Sequence, residues 1–217
     1  MKDRIIDLSY KLTTNMVVYP GNKRPVYEWL GRDNSEGYNL TFLSMVAHTG
    51  THADSPLHFI EGGQTIDLVD LNCFYGKTRL FSFEKEPNSQ EIMIEDIMDD
   101  EDEVEQGSIF VLRTGIEKLG ETKNYNYKYP IPSKELIQLL IRKKVRSYMT
   151  DATSLDPYGS PNSENHLAIL GNGIPIIENL RNLELLKGVN SFTICALPLP
   201  LEGREGSPCR AIAILSD

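Results

Sequence analysis

A chain of 217 residues is long enough to bury a substantial core without disulfide or metal staples, and its length predicts one domain over residues 1–217. Hydrophobic residues make up 40% and charged residues 24%, ordinary globular usage that excludes a collagen, a coiled coil and a mostly disordered chain. Twenty-two Lys and Arg against 31 Asp and Glu leave a net charge of −9 at pH 7, which repels phosphate backbones and anionic membrane surfaces, so neither nucleic acid nor membrane is an expected partner.

The opening Met-Lys-Asp-Arg-Ile-Ile-Asp-Leu is charged with no apolar segment behind it, so no signal peptide is expected. No stretch reaches the roughly 18 apolar residues of a spanning helix. Arg4 to Leu12 reads as a short strand, and Pro and Gly mark a turn at Tyr19-Pro20-Gly21-Asn22. Asn39 to Ala47 is apolar and β-prone, a strand that runs into the histidine-rich segment after it. Lys77 to Phe83 is another strand, and Ile92 to Met98 has the apolar spacing of a short helix. Asp99 to Glu105 carries six acidic residues in seven and reads as a solvated loop or helix edge, without the ligand spacing of a cation site.

Ser108 to Arg113 is a strong strand candidate ending at Thr114-Gly115. Gly120 to Pro132 is polar, contains Tyr125, Tyr127 and Tyr129, and reads as a loop. Ser133 to Lys144 is the clearest helix: Ser133 is placed to cap it, Leu136, Leu139 and Leu140 share a face, and Arg142 to Lys144 suit its C-terminal dipole. Val145 to Thr150 returns as a strand. Ile174 to Leu186 reads as a strand or turn passing into a short helix, and Ser191 to Leu197 and Arg210 to Leu215 are the last β runs. Strands outnumber helices, with no internal repeat or composition shift, so the class is α+β in one domain.

The chain holds four histidines, His48, His52, His58 and His166, and three of them fall within eleven residues, His48-Thr49-Gly50-Thr51-His52-Ala53-Asp54-Ser55-Pro56-Leu57-His58. Gly50, the two threonines and Pro56 oppose a helix there. On an extended chain, His48, Gly50, His52 and Asp54 face one side, and Gly50 removes a side chain where a metal would sit. A lone histidine is usually a surface or packed core residue. Two imidazoles and a carboxylate in register are instead the usual ligands of zinc, and suit manganese or iron as well.

His166 follows Asp151 to Pro157, a strand end entering a polar loop, where functional groups gather. Glu178 follows the apolar pair Ile176-Ile177, either as a helix-starting charge or as a carboxylate aimed inward. Spacing alone leaves both readings open for these two residues.

The segment His48 to Phe59 resembles the signature of the cyclase-like metal hydrolases, the family of bacterial-type kynurenine formamidase and isatin hydrolase. Asp7-Leu8-Ser9, Tyr19-Pro20-Gly21, Asp151 to Pro157 with His166, Glu178-Asn179-Leu180 and Gly206-Ser207-Pro208-Cys209-Arg210-Ala211 follow the family in order, so the resemblance spans almost the whole chain. It implies His48, His52 and Asp54 as ligands of a first metal. It implies Asp54, His166 and Glu178 as ligands of a second, with Glu178 able to touch both, and His58 as proton donor and acceptor. The implied cofactor is a divalent metal, zinc first and manganese second, at one or two ions per subunit. The implied fold is a layered β/β/α domain, swivelling-domain-like, with a mixed sheet, assembled as a homodimer or homotetramer.

The implied reaction is hydrolysis of a small-molecule amide C–N bond by metal-activated water. An aryl formamide such as N-formylkynurenine, in tryptophan catabolism, competes as substrate with a cyclic amide such as isatin or another small amide or ester. Kynurenine formamidases carry a tryptophan before Pro-Gly where this chain has Tyr19; its only tryptophan is Trp29. Tyr19 is thus the expected substrate-binding residue, able to stack on an aryl group but smaller and bearing a hydroxyl.

Two other readings compete. A binding protein could hold a structural zinc, although structural zinc prefers four closed ligands, often cysteine. A cysteine nucleophile, Cys195 or Cys209, would lack a neighbouring histidine in sequence. The three cysteines, Cys73, Cys195 and Cys209, are odd in number and show no paired spacing, which predicts a reduced, cytoplasmic protein.

Overall fold

Ile109 to Arg113 is buried at every position, which demands cover on both faces of the strand. A computed structural model of the chain, describing residues 4–31, 37–88, 90–119 and 127–215, shows how that cover is provided. Six strands, β4 (His52–Asp54), β6 (Leu80–Ser82), β8 (Ile109–Arg113), β10 (Ser147–Thr150), β11 (Ile176–Glu178) and β13 (Gly206–Pro208), form a central sheet in the order β13-β4-β11-β10-β8-β6. The run β11-β10-β8-β6 is parallel, whereas β4 lies antiparallel to both β11 and β13, so the sheet is mixed.

A second sheet covers one face. Its strands are β1 (Arg4–Asp7), β5 (Tyr75–Thr78), β12 (Phe192–Cys195) and β14 (Ile212–Leu215), in the order β1-β14-β12-β5, all antiparallel. Helices α1 (Lys134–Arg142) and α2 (Glu164–Gly171) cover the other. The alternation of β8 shows the layering: Ile109 and Val111 pack with Phe192, Ile194 and Ala213 of the second sheet. Phe110 and Leu112 pack with Leu136, Leu140 and Ile169 of the helices. The β/β/α layering with a mixed sheet is the expected one. Among the described residues no helix is long and apolar enough to cross a membrane.

Helix α1 follows its sequence signals. The Ser133 hydroxyl accepts the Leu136 N–H at 3.2 Å, and Leu136, Ile137, Leu139 and Leu140 are buried. The acidic run forms a single 3-10 turn, Glu101–Glu103, on the protein surface. Basic side chains hold it there: Arg142 to Glu101 (3.2 Å), Lys143 to Asp102 (2.7 Å) and Arg79 to Glu103 (2.9 Å).

Several expectations are corrected. Lys77 to Phe83 is not one strand but β5 and β6, broken at Arg79, with each half in a different sheet. A two-residue alternation continues through the break and does not reveal a change of layer. Ile92 to Met98 is not a helix. Its first residue ends β7 (Glu91–Ile92), paired with β9 (Ile131–Pro132), and a 3-10 turn follows at Ile94–Asp96, closed by the Asp96 carboxylate accepting the Met93 N–H at 3.0 Å. Within Asn39 to Ala47, β3 (Leu40–Ser44) forms a separate hairpin with β2 (Val26–Gly31), which the sequence reading missed. The strand also stops short of the histidine segment. Of the expected loop Gly120 to Pro132, residues 120–126 lie outside the described residues, and Ile131–Pro132 is the short strand β9.

Candidate metal centre

The site begins in β4, three residues long and wholly buried. Alternation sends Ala53 into the core between the sheets and leaves His52 and Asp54 on the opposite face. On the neighbouring strand β11, Glu178 is the cross-strand partner of His52. The Glu178 Oε2 lies 3.5 Å from His52 Nε2, and Asp54 Oδ1 lies 3.3 Å from the same nitrogen. Glu178 is therefore a carboxylate aimed inward rather than a helix-starting charge.

His48 comes from a turn rather than from the same extended strand. Gly50 sits at φ +66°, and a Cβ on it would lie 2.8 Å from Leu12 Cδ2. The glycine thus serves the turn and its packing on the N-terminal segment, and does not clear space for an ion as the extended reading supposed. Thr51 anchors the turn. Its hydroxyl donates to the Asn179 carbonyl (2.6 Å) and accepts the Tyr10 N–H (2.8 Å), while its own carbonyl accepts the Cys209 N–H (3.0 Å). His48 Nδ1 then lies 2.7 Å from Asp54 Oδ1. Gly206 of β13 makes room for the ring, since a Cβ there would sit 2.7 Å from His48 Cε1 and 2.8 Å from the Ala53 carbonyl. Glu205, next to it, places Oε1 3.4 Å from His48 Nε2.

His166 lies on α2 and not in a polar loop. Its Nε2 is 3.2 Å from Glu178 Oε1, and its Nδ1 is 2.6 Å from Asp156 Oδ2. His58 ends the 3-10 turn Pro56–His58 and stacks on His48 at 4.0 Å between centroids, and Phe59 stacks on His166 at 4.6 Å. Potential ligand atoms of His48, Asp54 and His58 all lie within 4.8 Å of one another, and so do those of His52, Asp54 and Glu178. Asp54 belongs to both groups, and His166 joins them through Glu178. The structure therefore brings together the five expected ligands, His48, His52, Asp54, His166 and Glu178, and the expected proton carrier His58.

Burial and charge shape the electrostatics. Burial raises Asp54, but His52 and His48 outweigh it and hold the carboxyl well below its ordinary value. Burial together with Asp54 pushes Glu178 up, despite His166. Burial disfavours charge on His52, yet Asp54 and Glu178 raise it to about 9. His166 is likewise raised to about 10 by Asp156 and Glu178 against its burial. His58 is lowered to about 4 by burial, assisted by the other three histidines and opposed by Asp54.

Asp54 Oδ2 is buried with no hydrogen-bond partner among the described residues. An orphaned carboxylate oxygen among imidazoles and a second carboxylate is the place for a cation, and the nitrogen and oxygen donor set suits a divalent one. The centre opens on a cavity of about 360 Å³ lined by His48, His52, His166 and Glu178, together with Tyr19 and Phe59. Tyr19 is 6.0 Å from Tyr158, whose ring meets Tyr127 edge-on at 4.5 Å. Burial, with Tyr158 and Glu178, raises the Tyr19 phenol.

The sequence reading missed Glu205 and gave no role to Asp156 or Gly206, although both lie in segments that carry the family resemblance. The cysteine alternatives lose support: burial pushes the Cys209 thiol up to about 12, the reverse of an activated thiolate, and no cysteine joins either ligand group among the described residues.

The donor set and the cavity beside it are those of a metal-dependent enzyme, a hydrolase using a divalent ion, and the comparisons with known proteins agree. The sequence profile of the Cyclase family, described as "Putative cyclase", matches residues 6–157. The chain belongs to that family, as the segment His48 to Phe59 had indicated. The kynurenine formamidase of Salinibacter ruber is 30% identical over 210 residues, 96% of each chain. That of Bacillus mycoides is 28% identical over 209 residues, 95% of each. Among solved structures, isatin hydrolase A from Labrenzia aggregata superposes with a TM-score of 0.84 at 24% identity, over 99% of this chain and 94% of its own.

Proposed function

We propose that the chain hydrolyses the amide bond of an aryl formamide of the N-formylkynurenine type. In this reading His48, His52, Asp54, His166 and Glu178 hold one or two divalent ions, zinc first and manganese second. The observation that carries it is Asp54, a buried carboxylate common to both groups of ligand atoms, with one oxygen otherwise unpaired. A divalent ion held there would lower the pKa of water toward neutrality and polarise the substrate carbonyl.

The chain's own residues do the rest. His58, held neutral by its burial, accepts a proton from the attacking water and returns it to the leaving amine nitrogen. Tyr19 stacks on the aryl ring at the cavity wall. A cavity of about 360 Å³ is in the range of small-molecule sites.

A cyclic amide such as isatin is the second reading, favoured by Tyr19 in place of the tryptophan of kynurenine formamidases and by the likeness to isatin hydrolase A. The proposal includes a single domain assembled as a homodimer or homotetramer. The β2–β3 hairpin supports association, because Trp29, Leu30 and Phe42 are each about half exposed or more, and a two-stranded hairpin is marginal alone in water. The free cysteines are compatible with the reducing cytoplasm.

Elemental analysis of the purified protein, with parallel spectrophotometric assays on N-formylkynurenine and isatin, tests the proposal. Bound zinc or manganese and faster turnover of the formamide are expected. Faster turnover of isatin would transfer the assignment to the second reading, and a protein that binds no divalent ion would overturn both. Chelation should abolish activity and leave the fold intact; unfolding on chelation would instead mark the ion as structural.

A further inference from the structure

A helix leaves its first N–H groups without partners inside the helix, and the N-cap side chain ordinarily takes one of them. In α2 it does not: Ser163 stands at the N-cap with φ +45° and no side-chain cap. The N–H groups of Asn165 and His166 go instead to Asp156, Oδ1 at 2.8 Å and Oδ2 at 3.1 Å. The same Oδ2 meets the His166 ring at Nδ1. Asn165 ties the helix start down further, its side-chain amide donating to the carbonyls of Pro132 (3.0 Å) and Leu155 (2.9 Å). Asp156 and His166 are both about 95% buried, so solvent does not compete for these contacts.

An ionised carboxylate only accepts hydrogen bonds, so the ring nitrogen facing Asp156 carries the proton. In a neutral imidazole that leaves the lone pair on Nε2, the nitrogen turned toward Glu178. We propose that Asp156 is a positioning residue that both seats the N-terminus of α2 and commits His166 to the tautomer whose Nε2 can bind the ion, so that helix start and metal cluster form one unit. The proposal rests on the metal reading of the cluster given above.

A zinc titration into metal-stripped protein, competed against a chromophoric chelator, tests it with wild type, Asp156→Asn, His166→Ala and the double variant. Asparagine keeps an acceptor for only one of the two helix N–H groups, and with its carbonyl toward Asn165 it turns an NH₂ donor toward the ring that the carboxylate had fixed. The expected result is a 10- to 100-fold loss of zinc affinity in Asp156→Asn, with the metal-free protein still folded at a lowered melting temperature, because one buried helix N–H loses its acceptor. That loss should vanish when His166 is already alanine, because the effect runs through His166. Wild-type affinity in Asp156→Asn, or a loss that persists without His166, would overturn the proposal while leaving the hydrolase reading in place. Wild-type protein that takes up no zinc would overturn both. If Asp156→Asn fails to fold, ¹⁵N-histidine NMR of zinc-loaded wild type decides alone: a proton on Nδ1 of His166 is expected, and a proton on Nε2 would refute the proposal.

Discussion

Asp7 and Arg210, 203 positions apart, meet in a two-point pairing, Nε to Oδ1 at 2.9 Å and Nη2 to Oδ2 at 2.8 Å. The surrounding backbone closes with them. The Leu8 N–H donates to the Ala211 carbonyl at 2.9 Å, and the Ala211 N–H donates to the Ser9 hydroxyl at 2.8 Å. Asp7-Leu8-Ser9 and Cys209-Arg210-Ala211 are thus two halves of one clasp. Through the Cys209 N–H on Thr51 it reaches the turn that presents His48.

Asp7→Asn should weaken this clasp slightly. Burial pushes the Asp7 carboxyl up, but hydrogen bonds from Arg210 and Ser9 outweigh it and leave the group below 3.8. A depressed carboxyl stabilises the fold above its unfolded pKa and loses that contribution as pH falls through the folded value. Both side chains are well exposed, so solvent screens the pair and the expected cost at pH 7 is about 0.5 kcal/mol. Urea melts at pH 7 and pH 3 check it: the difference between variant and wild type should shrink at the lower pH.

Asp151 should act in the opposite sense. It is buried, its Oδ1 accepts the Thr114 N–H at 2.7 Å, and burial still pushes the carboxyl up to about 6. The folded protein therefore holds a proton that the unfolded chain releases near pH 4, and stability falls as pH rises from about 4 to 6, by about 3 kcal/mol from this group. In Asp151→Asn that decline should flatten. A variant whose stability keeps the wild-type slope across this window would contradict the assignment.

Gly206→Ala should disturb the metal centre without altering any proposed ligand. The added carbon meets the His48 ring and the Ala53 carbonyl at under 3.0 Å, and the backbone oxygen has little freedom to move. A stability loss of about 1–3 kcal/mol and weaker metal binding are expected, measured by thermal melts and metal titration. Unchanged metal affinity would mean that His48 can shift without consequence.

His58→Ala separates proton carrier from ligand. Its ring nitrogen falls within reach of His48 and Asp54, so geometry alone permits either role. As proton carrier, its loss should lower kcat by about 10²- to 10⁴-fold while bound metal stays near wild type. Metal content falling in step with activity would make His58 a ligand.

The central features were legible from sequence where a local rule governs them. Ser133 caps α1, and the apolar Ile109 to Arg113 forms a strand covered on both faces. The histidines and carboxylates of the centre were legible too, because their residue types carry their chemistry. The extended geometry assumed for His48 was not, since Gly50 takes a left-handed turn (φ +66°) packed against Leu12, a residue far away in sequence. Helix α2 escaped notice because it is only eight residues long and its apolar residues, Leu167 to Leu170, run consecutively instead of recurring on one face. The division of Lys77 to Phe83 was hidden because an alternating pattern reads the same whether its two ends lie in one layer or two.

That division at Arg79 constrains how the molecule can breathe. One uninterrupted length of backbone is stitched into both sheets, pairing with β12 before the break and with β8 after it. Sliding one sheet over the other would tear one of these ladders, so shear between the layers is closed to the protein. The strands carrying His52, Asp54 and Glu178 belong to the sheet pinned in this way, so strand pairing sets the spacing of these three groups.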